Sequence, residues 1–458
     1  MSQRFVLSSP LYALAVVVLA AGLSLSLLAG CPSVAPPDGN DNGNVNENDN
    51  TNTNGNGNGN GNGGTTQKAF AGAVTCQACH NDAHADWTAT SHAEAFESLR
   101  TIGQHENAAC LPCHTVGFGV TDGFVDEAAS PGLLGVQCEN CHGPAGDHTR
   151  NPGDASLRPT INLAATLCGE CHTDAHHPTF DEWQLSDHAE ALATLQANPF
   201  AQDSCLECHS QDYRWAVEKQ AEDPTVELPT LQTAALSIEC ATCHAPHGGV
   251  AQAHQLRQPI ADVCGECHTQ AEAALGSTPH HPQIEMITGM GAFDAAADPL
   301  ERQGPHTGLF ASGGAACAQC HVVRHEVEEP NDGNPNVTGH TFNPFDEDIS
   351  AISPEHQAQQ YDGCLMCHGT AEQAEQRRTE VQGDIGTRLE ALAGYFDAAN
   401  AAYIDPATLS EEDQARLTTA KFNFQFVEAD GSVGVHNSRY AKAVLEVAEE
   451  IVADLTGL

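Results

Sequence analysis

The pattern Cys-x-x-Cys-His occurs nine times in this chain of 458 residues. In chain order, motifs 1 to 9 begin at Cys76, Cys110, Cys138, Cys168, Cys205, Cys240, Cys264, Cys317 and Cys364. They use 18 of the 19 cysteines, and the remaining one is Cys31. Because no other cysteine is left for disulfides or metal binding, the chain has to fold around whatever the motifs hold.

The spacing indicates what that is. In a c-type haem site, two thiols add to the two vinyl groups of one haem, and the histidine that follows binds the iron. A zinc site, a thioredoxin-like pair or a disulfide does not need a histidine after every pair. We therefore predict nine covalently attached haems c, bound through Cys76, Cys79, Cys110, Cys113, Cys138, Cys141, Cys168, Cys171, Cys205, Cys208, Cys240, Cys243, Cys264, Cys267, Cys317, Cys320, Cys364 and Cys367. The iron ligands that belong to the motifs are His80, His114, His142, His172, His209, His244, His268, His321 and His368.

The haems also account for the composition of the chain. Aromatic residues make up only 5% of it, and few long apolar stretches follow residue 30. Haems can replace apolar side chains in the interior, and such a chain should not fold before they are attached. The predicted fold is mainly α with much irregular loop and little or no β-sheet, wrapped around stacked haems.

Histidine is the favoured ligand on the other side of each iron. Sixteen of the 25 histidines lie outside the motifs, whereas there are only four methionines. Mostly bis-histidine iron predicts low reduction potentials, since methionine ligation raises them. The predicted distal ligands are His92, His188, His148, His254, His280 and His436, with His247 as the alternative to His254 and His281 as the alternative to His280. Weaker candidates are His84, His176, His306, His325 and His340.

Two segments repeat strongly and carry two of these ligands. WTATSHAEAFESL at 87–99 and WQLSDHAEALATL at 183–195 place His92 and His188 at matching positions of a helical pattern. Repetition at this scale indicates duplication of a small haem cluster. We predict a haem domain at 68–370, with three-haem units at about 73–165, 166–261 and 262–370.

The run from CQACH through HAEA and CLPCHTVGFG to CENCHGPAGDH resembles the cytochrome c-554 family. That family lies in the superfamily of hydroxylamine oxidoreductase and ammonia-forming nitrite reductase. The resemblance covers 73–150 well and 165–270 in part. It implies stacked haem pairs, mostly bis-histidine iron and electron transfer, and His92 and His148 fall on positions of the family's distal ligands.

The last segment, 371–458, has no cysteine and shows helical patterning at 371–403 and 409–427. A final helix is predicted to begin at a cap on Asn437 or Ser438 and to run to about Leu455. This segment is similar to the C-terminal helices of the oxidoreductase and reductase group, in which a histidine before the last helix binds a haem. That similarity implies His436 as a distal ligand.

The N-terminus predicts export. Residues 1–30 read as a lipoprotein signal peptide, and Leu28-Ala29-Gly30-Cys31 resembles the bacterial lipobox, which implies a lipid on Cys31. An uncleaved membrane helix is the alternative. Residues 31–67 are rich in Asn and Gly and read as a flexible linker. We expect a chain anchored by lipid to the cell or outer membrane, facing the periplasm or the surface.

The net charge of −44 excludes nucleic acid as a partner and favours redox proteins with basic docking faces. Two functions remain. One is an electron carrier between periplasmic or surface partners. The other is a catalytic oxidoreductase of the hydroxylamine oxidoreductase, nitrite reductase or tetrathionate reductase type, which needs one open haem. All nine motifs end in His, so the lysine that often marks a nitrite-reducing haem is absent, and the carrier is favoured.

Overall fold

A computed structural model describes residues 69–249, 253–270, 274–295, 302–311, 317–344 and 361–457. The predicted signal peptide, Cys31 and the linker lie outside the described residues. Within these residues, no helix is both long enough and apolar enough to span a bilayer.

The described residues form short helices up to residue 368 and long ones after it. The helices are α1 Ala73–Gln77, α2 Asn81–Thr88, α3 Ala95–Thr101, α4 Leu111–His114, α5 Cys138–His142, α6 Gly146–Arg150, α7 Ala165–Gly169, α8 Thr179–Trp183, α9 Asp187–Ala197, α10 Leu206–His209, α11 Gln211–Glu222, α12 Cys240–Cys243, α13 Ile260–Gly265, α14 Gln283–Thr288, α15 Thr307–Ala311, α16 Ala318–His321, α17 Asp362–His368, α18 Ala371–Phe396, α19 Glu411–Ala429 and α20 Ser438–Thr456. Single 3₁₀ turns are η1 Pro131–Leu133, η2 Ala155–Leu157, η3 Asp203–Cys205, η4 Ala253–Gln255 and η5 Pro406–Thr408.

The described residues contain isolated β-bridges and no strand. One bridge joins Thr115 to Leu134, and another joins His244 to Leu256. Thr115 follows the histidine of motif 2 and His244 is the histidine of motif 6, and at both residues the chain leaves a helical turn in extended conformation. The predicted fold class, mainly helical with irregular connections and without a sheet, is confirmed.

The C-terminal helices have a conventional apolar core. Helices α18, α19 and α20 pack together around Phe422, Phe426 and Tyr440, each no more than 1% exposed. The oxygen of Asn437 caps α20 by accepting from the Tyr440 N–H at 3.1 Å. Helix α18 ends at Phe396, before the predicted residue 403, because residues 397–400 form a turn in which the Asn400 N–H donates to the Asp397 carbonyl.

Between residues 69 and 344, the described residues have only small apolar clusters of their own. One surrounds Phe96 and Leu111, and another surrounds Leu192 and Leu206. Neither cluster joins two motifs of neighbouring units, so side chains alone supply little of the interior between residues 69 and 344.

Candidate haem sites

Each motif is built as about one helical turn. The N–H groups of His80, His172, His268 and His321 donate to the carbonyl of the first cysteine of their motif at 2.9–3.0 Å. Residues three and four positions apart share one face of a helix. The two thiols and the imidazole of a motif therefore point the same way, as attachment to one haem edge and ligation of its iron require.

Eight of the nine motif histidines face a histidine from elsewhere in the chain, with ring centres 5.8–6.5 Å apart. An imidazole nitrogen lies about 2 Å from a bound transition metal, so two rings on opposite sides of one metal have centres roughly 6 Å apart. The spacing of these pairs therefore fits a six-coordinate haem iron.

The first two predicted ligands, His92 and His188, each face a motif histidine of the unit that follows their own. His92 faces His172 of motif 4 at 6.0 Å, and His188 faces His268 of motif 7 at 6.1 Å. His436 faces His321 of motif 8 at 6.1 Å. The other facing pairs are His142 with His247, His244 with His340, and His368 with His306.

Motifs 2 and 5 face histidines in a second repeated sequence, His-His-Pro. His114 faces His177 at 6.5 Å. The ring centre of His209 lies 6.2 Å from that of His280 and 6.0 Å from that of His281. The ring nitrogens of these three residues that could bind a metal lie within 4.8 Å of one another. His281 precedes Pro282 as His177 precedes Pro178, so the repeat favours His281, and His280 stays a prediction. His177 was not among the predicted ligands, although this repeat could have identified it.

Two predicted ligands have no facing motif histidine in the described part of the chain. His254 is exposed, and its carbonyl accepts from Nδ1 of His244 at 2.8 Å; the structure brings His247, not His254, opposite a motif histidine. Nδ1 of His148 is buried and has no hydrogen-bond partner among the described residues. His148 lies on α6, which is held next to motif 1 by the hydrogen bond from the Gly146 N–H to the Ala69 carbonyl at 2.8 Å.

The residues that remain to be placed are the histidine of motif 1 and three of the weaker ligand candidates. Among the described residues, His80 has no histidine ring opposite it at the spacing of the other pairs. His84 contacts Trp87, and His176 lies beside Asp174. The N–H of His325 donates to the Val337 carbonyl at 2.9 Å. None of these last three faces a motif histidine.

Hydrogen bonds at Nδ1 fix the orientation of several rings. His114, His142, His244, His306 and His321 contact the carbonyls of Ala95, Thr160, His254, Val435 and Phe342 at 2.7–2.8 Å. An Nδ1–H that donates to a carbonyl leaves Nε2 unprotonated and aimed away from the backbone. That is the tautomer with which Nε2 binds iron.

Burial favours the neutral form of four other facing histidines. Desolvation lowers the pKa of His92, and it lowers the pKa of His172, His188 and His340 to about 4. For His172, His188 and His340, nearby histidines add to the effect. Since neutral imidazole is the form that binds a metal, these sites need no proton release near pH 7.

Thiols of different motifs contact each other and thereby define which motifs are neighbours. The neighbouring thiol pairs are Cys76 with Cys138, Cys113 with Cys171, Cys168 with Cys240, Cys208 with Cys267, Cys264 with Cys317, and Cys320 with Cys364. Cys141 also lies near Cys168, and Cys243 lies near Cys264. The motifs therefore form a series 1–3–4–6–7–8–9, with motif 2 beside motif 4 and motif 5 beside motif 7.

These contacts change the interpretation of the third unit. Motif 3 contacts motif 1, and motif 6 contacts motif 4; motif 8 contacts motif 7 in the same way. Motif 8 therefore takes the place of the third motif of a unit. The third unit has no counterpart of motifs 2 and 5, and motif 9 lies beyond it.

Comparison with known proteins agrees with this geometry. The family model described as cytochrome c554 and c-prime matches residues 75–143 and 167–245, and the doubled CXXCH motif model matches 234–273. The chain is a multihaem c-type cytochrome. It binds haem c, and it resembles the cytochrome c-554 family as the sequence predicted.

Two curated relatives are similar to parts of this cytochrome. It is 28% identical to multiheme cytochrome MtrA of Shewanella baltica over 35% of this chain and 52% of that protein. It is 35% identical to cytochrome c-554 of Nitrosomonas europaea over 18% of this chain and 43% of that protein. The chain thus spans about half the length of these relatives.

The fold extends further than the sequence similarity. The crystal structure of the outer cell wall cytochrome OcwA superposes with a TM-score of 0.58 at 21% identity, over 84% of this chain and 100% of that one. The chain therefore shares its fold with another cytochrome over 84% of its length, including regions that the family models do not match.

Proposed function

We propose that this cytochrome is an exported nine-haem conduit that moves electrons between periplasmic or surface redox partners. Each haem supplies one-electron chemistry when it is bound. The observation that carries the proposal is the unbroken series of neighbouring motifs from motif 1 to motif 9, with motifs 2 and 5 beside it and a facing histidine at eight of the nine motifs.

The chain's residues suit an electron conduit because they hold the motifs close together and place a second histidine opposite eight of the motif histidines. The thiol contacts bring the attachment points of neighbouring motifs together, and at eight motifs the motif histidine and its facing histidine would together hold the iron. A site with two fixed imidazoles can change oxidation state with little rearrangement and offers no position to a substrate. Both features favour a carrier over an enzyme.

Motif 1 supports the alternative, a catalytic oxidoreductase with one open haem, because His80 faces no histidine in the described residues. We assign His148 to this position, since α6 is tied to residue 69 and the buried Nδ1 of His148 lacks a partner. Electron paramagnetic resonance of the oxidised protein separates the two functions. The carrier predicts nine low-spin haems and one high-spin haem in His148→Ala. A high-spin haem in the parent protein that binds nitrite or hydroxylamine would support the enzyme.

The proposed location follows from the N-terminal residues. We propose that Cys31 carries a lipid that anchors the chain at the cell or outer membrane. OcwA is described as an outer cell wall protein, which supports a position outside the cytoplasm. Cys31→Ser should release the holoprotein from the membrane fraction, whereas an uncleaved membrane helix would keep it there.

The net charge of −44 supports partners with basic docking faces. The rate of reduction by a basic redox protein should fall steeply as ionic strength rises. A rate that does not depend on salt would contradict this choice of partner.

A further inference from the structure

His436 differs from the other facing histidines in the group that its Nδ1 contacts. Nδ1 of His436 lies 2.7 Å from Oδ1 of Asp430. The hydrogen bonds at Nδ1 of the other paired histidines go to backbone carbonyls, to the amide oxygen of Gln283 or to the hydroxyl of Thr338. Among the paired histidines of the described residues, His436 alone contacts a carboxylate.

Asp430 is held as a buried acceptor. Its side chain is 0% exposed, and Ser432 donates from its hydroxyl to Oδ2. The Ser432 oxygen also accepts from the His436 N–H at 3.1 Å. Burial removes water that would screen the carboxylate, so its charge acts strongly on the imidazole beside it.

The turn that carries both residues is anchored by hydrogen bonds to the rest of the chain. It connects the end of α19 to the start of α20 and contains Val433 in the left-handed region at φ 51°. Asn437 donates from its amide to the carbonyls of Met286 at 3.1 Å and Arg302 at 2.7 Å. Since both flanks are fixed, the distance between Asp430 and His436 is set by the fold.

We propose that Asp430 lowers the reduction potential of the haem at motif 8 and so makes this position an uphill step between motifs 7 and 9. A carboxylate bonded to a ligating histidine increases the electron donation of the imidazole and stabilises the ferric state. Motif 8 touches motif 7 through Cys264 and Cys317, and it touches motif 9 through Cys320 and Cys364. Motif 9 therefore exchanges electrons with the rest of the series across this low-potential position. The inference rests on the proposed function, in which His321 and His436 bind one iron.

The test is a spectroelectrochemical titration of holoprotein in the parent and in Asp430→Asn, which keeps an oxygen acceptor and the side-chain size. One of the nine potentials should rise, and its equilibrium constant for reduction should increase about tenfold, or 59 mV for one electron. Ser432→Ala, which leaves the carboxylate more basic, should lower the same potential. Asp454→Asn, at an exposed carboxylate paired with Arg416, is the matched control and should change none.

His436→Ala separates failure of the inference from failure of the proposed function. If it converts one haem to high spin while Asp430→Asn and Ser432→Ala leave every potential unchanged, the role of Asp430 is wrong and the ligand set stands. If His436→Ala leaves all haems low-spin with unchanged potentials, His436 does not bind iron at motif 8, and both fall.

Discussion

The two segments that match the same family model, 75–143 and 167–245, share their geometry but differ in charge. Trp87 and Trp183 each donate from the ring N–H at 2.9 Å, to the carbonyls of Val136 and Ile238 respectively. Sγ of Cys113 lies 3.9 Å from the Glu170 carbonyl, and Sγ of Cys208 lies 3.9 Å from the Glu266 carbonyl. The duplication has therefore kept the contacts that position the motifs.

Arg214 is one electrostatic difference between the two segments. It pairs with Glu266 and donates to the Glu207 carbonyl at 3.1 Å, beside Cys208 and Cys267 of motifs 5 and 7. The residue at the matching offset in the first segment is Gly119, nine positions after Cys110 as Arg214 is after Cys205. We therefore expect that one cation gives duplicated sites with the same ligands different reduction potentials.

The largest expected effect tests whether the ligands of the two segments are equivalent. His92→Met and His188→Met should each raise one haem potential by on the order of 100 mV or more, because axial ligands spread haem potentials over about 0.8 V. The shifts should be similar, since the two ring pairs have nearly the same spacing. Redox titration followed by absorbance measures both.

His254→Met is the control for these substitutions, because His254 is exposed and faces no motif histidine in the described residues. The haem reduction potentials of His254→Met should match those of the parent protein. A shift for His254→Met together with none for His188→Met would mean that the pairing across units is wrong.

A smaller effect should come from Arg214→Gln. Removal of the guanidinium leaves Glu266 unpaired beside motifs 5 and 7, so their potentials should fall by on the order of 50 mV, close to a tenfold change in equilibrium constant. Potentials of motifs 2 and 4 should not move, and Arg416→Gln, in the C-terminal helices, should change none. If Arg214→Gln shifted both segments alike, the charge difference would not distinguish them.

The smallest effect concerns stability. The side-chain oxygen of Gln137 accepts from the Ala73 N–H at 2.6 Å, and that of Glu239 accepts from the Ala165 N–H at 2.5 Å. These are equivalent contacts, three residues before motifs 1 and 4. Burial raises the pKa of Glu239, so its ionised form is penalised in the folded protein.

Glu239→Gln should therefore stabilise the holoprotein at pH 7 by on the order of 1 kcal/mol. For a raised pKa, the stability contribution of the acid is present at low pH and is lost as the pH rises above the ordinary value of 4.5. The advantage of Glu239→Gln should thus grow between pH 4 and pH 7, as measured by thermal unfolding. The reverse substitution, Gln137→Glu, should destabilise, and equal midpoints at both pH values would contradict the account.

The sequence predicted what is local and missed what is long-range. The motifs, the helical class and the cap at Asn437 depend on residues close together in the chain, so spacing and residue type were enough. The pairing of His92 with His172, 80 positions later, depends on how one unit docks on the next. No periodicity encodes that contact, and for the same reason the neighbours of motif 8 and the role of His177 were not foreseen.

The account as a whole depends on a haem at every motif, and the intact mass of holoprotein matured in a competent host tests this most directly. We predict the mass of the processed polypeptide plus nine haems, each mapped by peptide analysis to its own pair of cysteines. A mass that corresponds to fewer haems, or to zinc in place of iron porphyrin, would contradict the central claim.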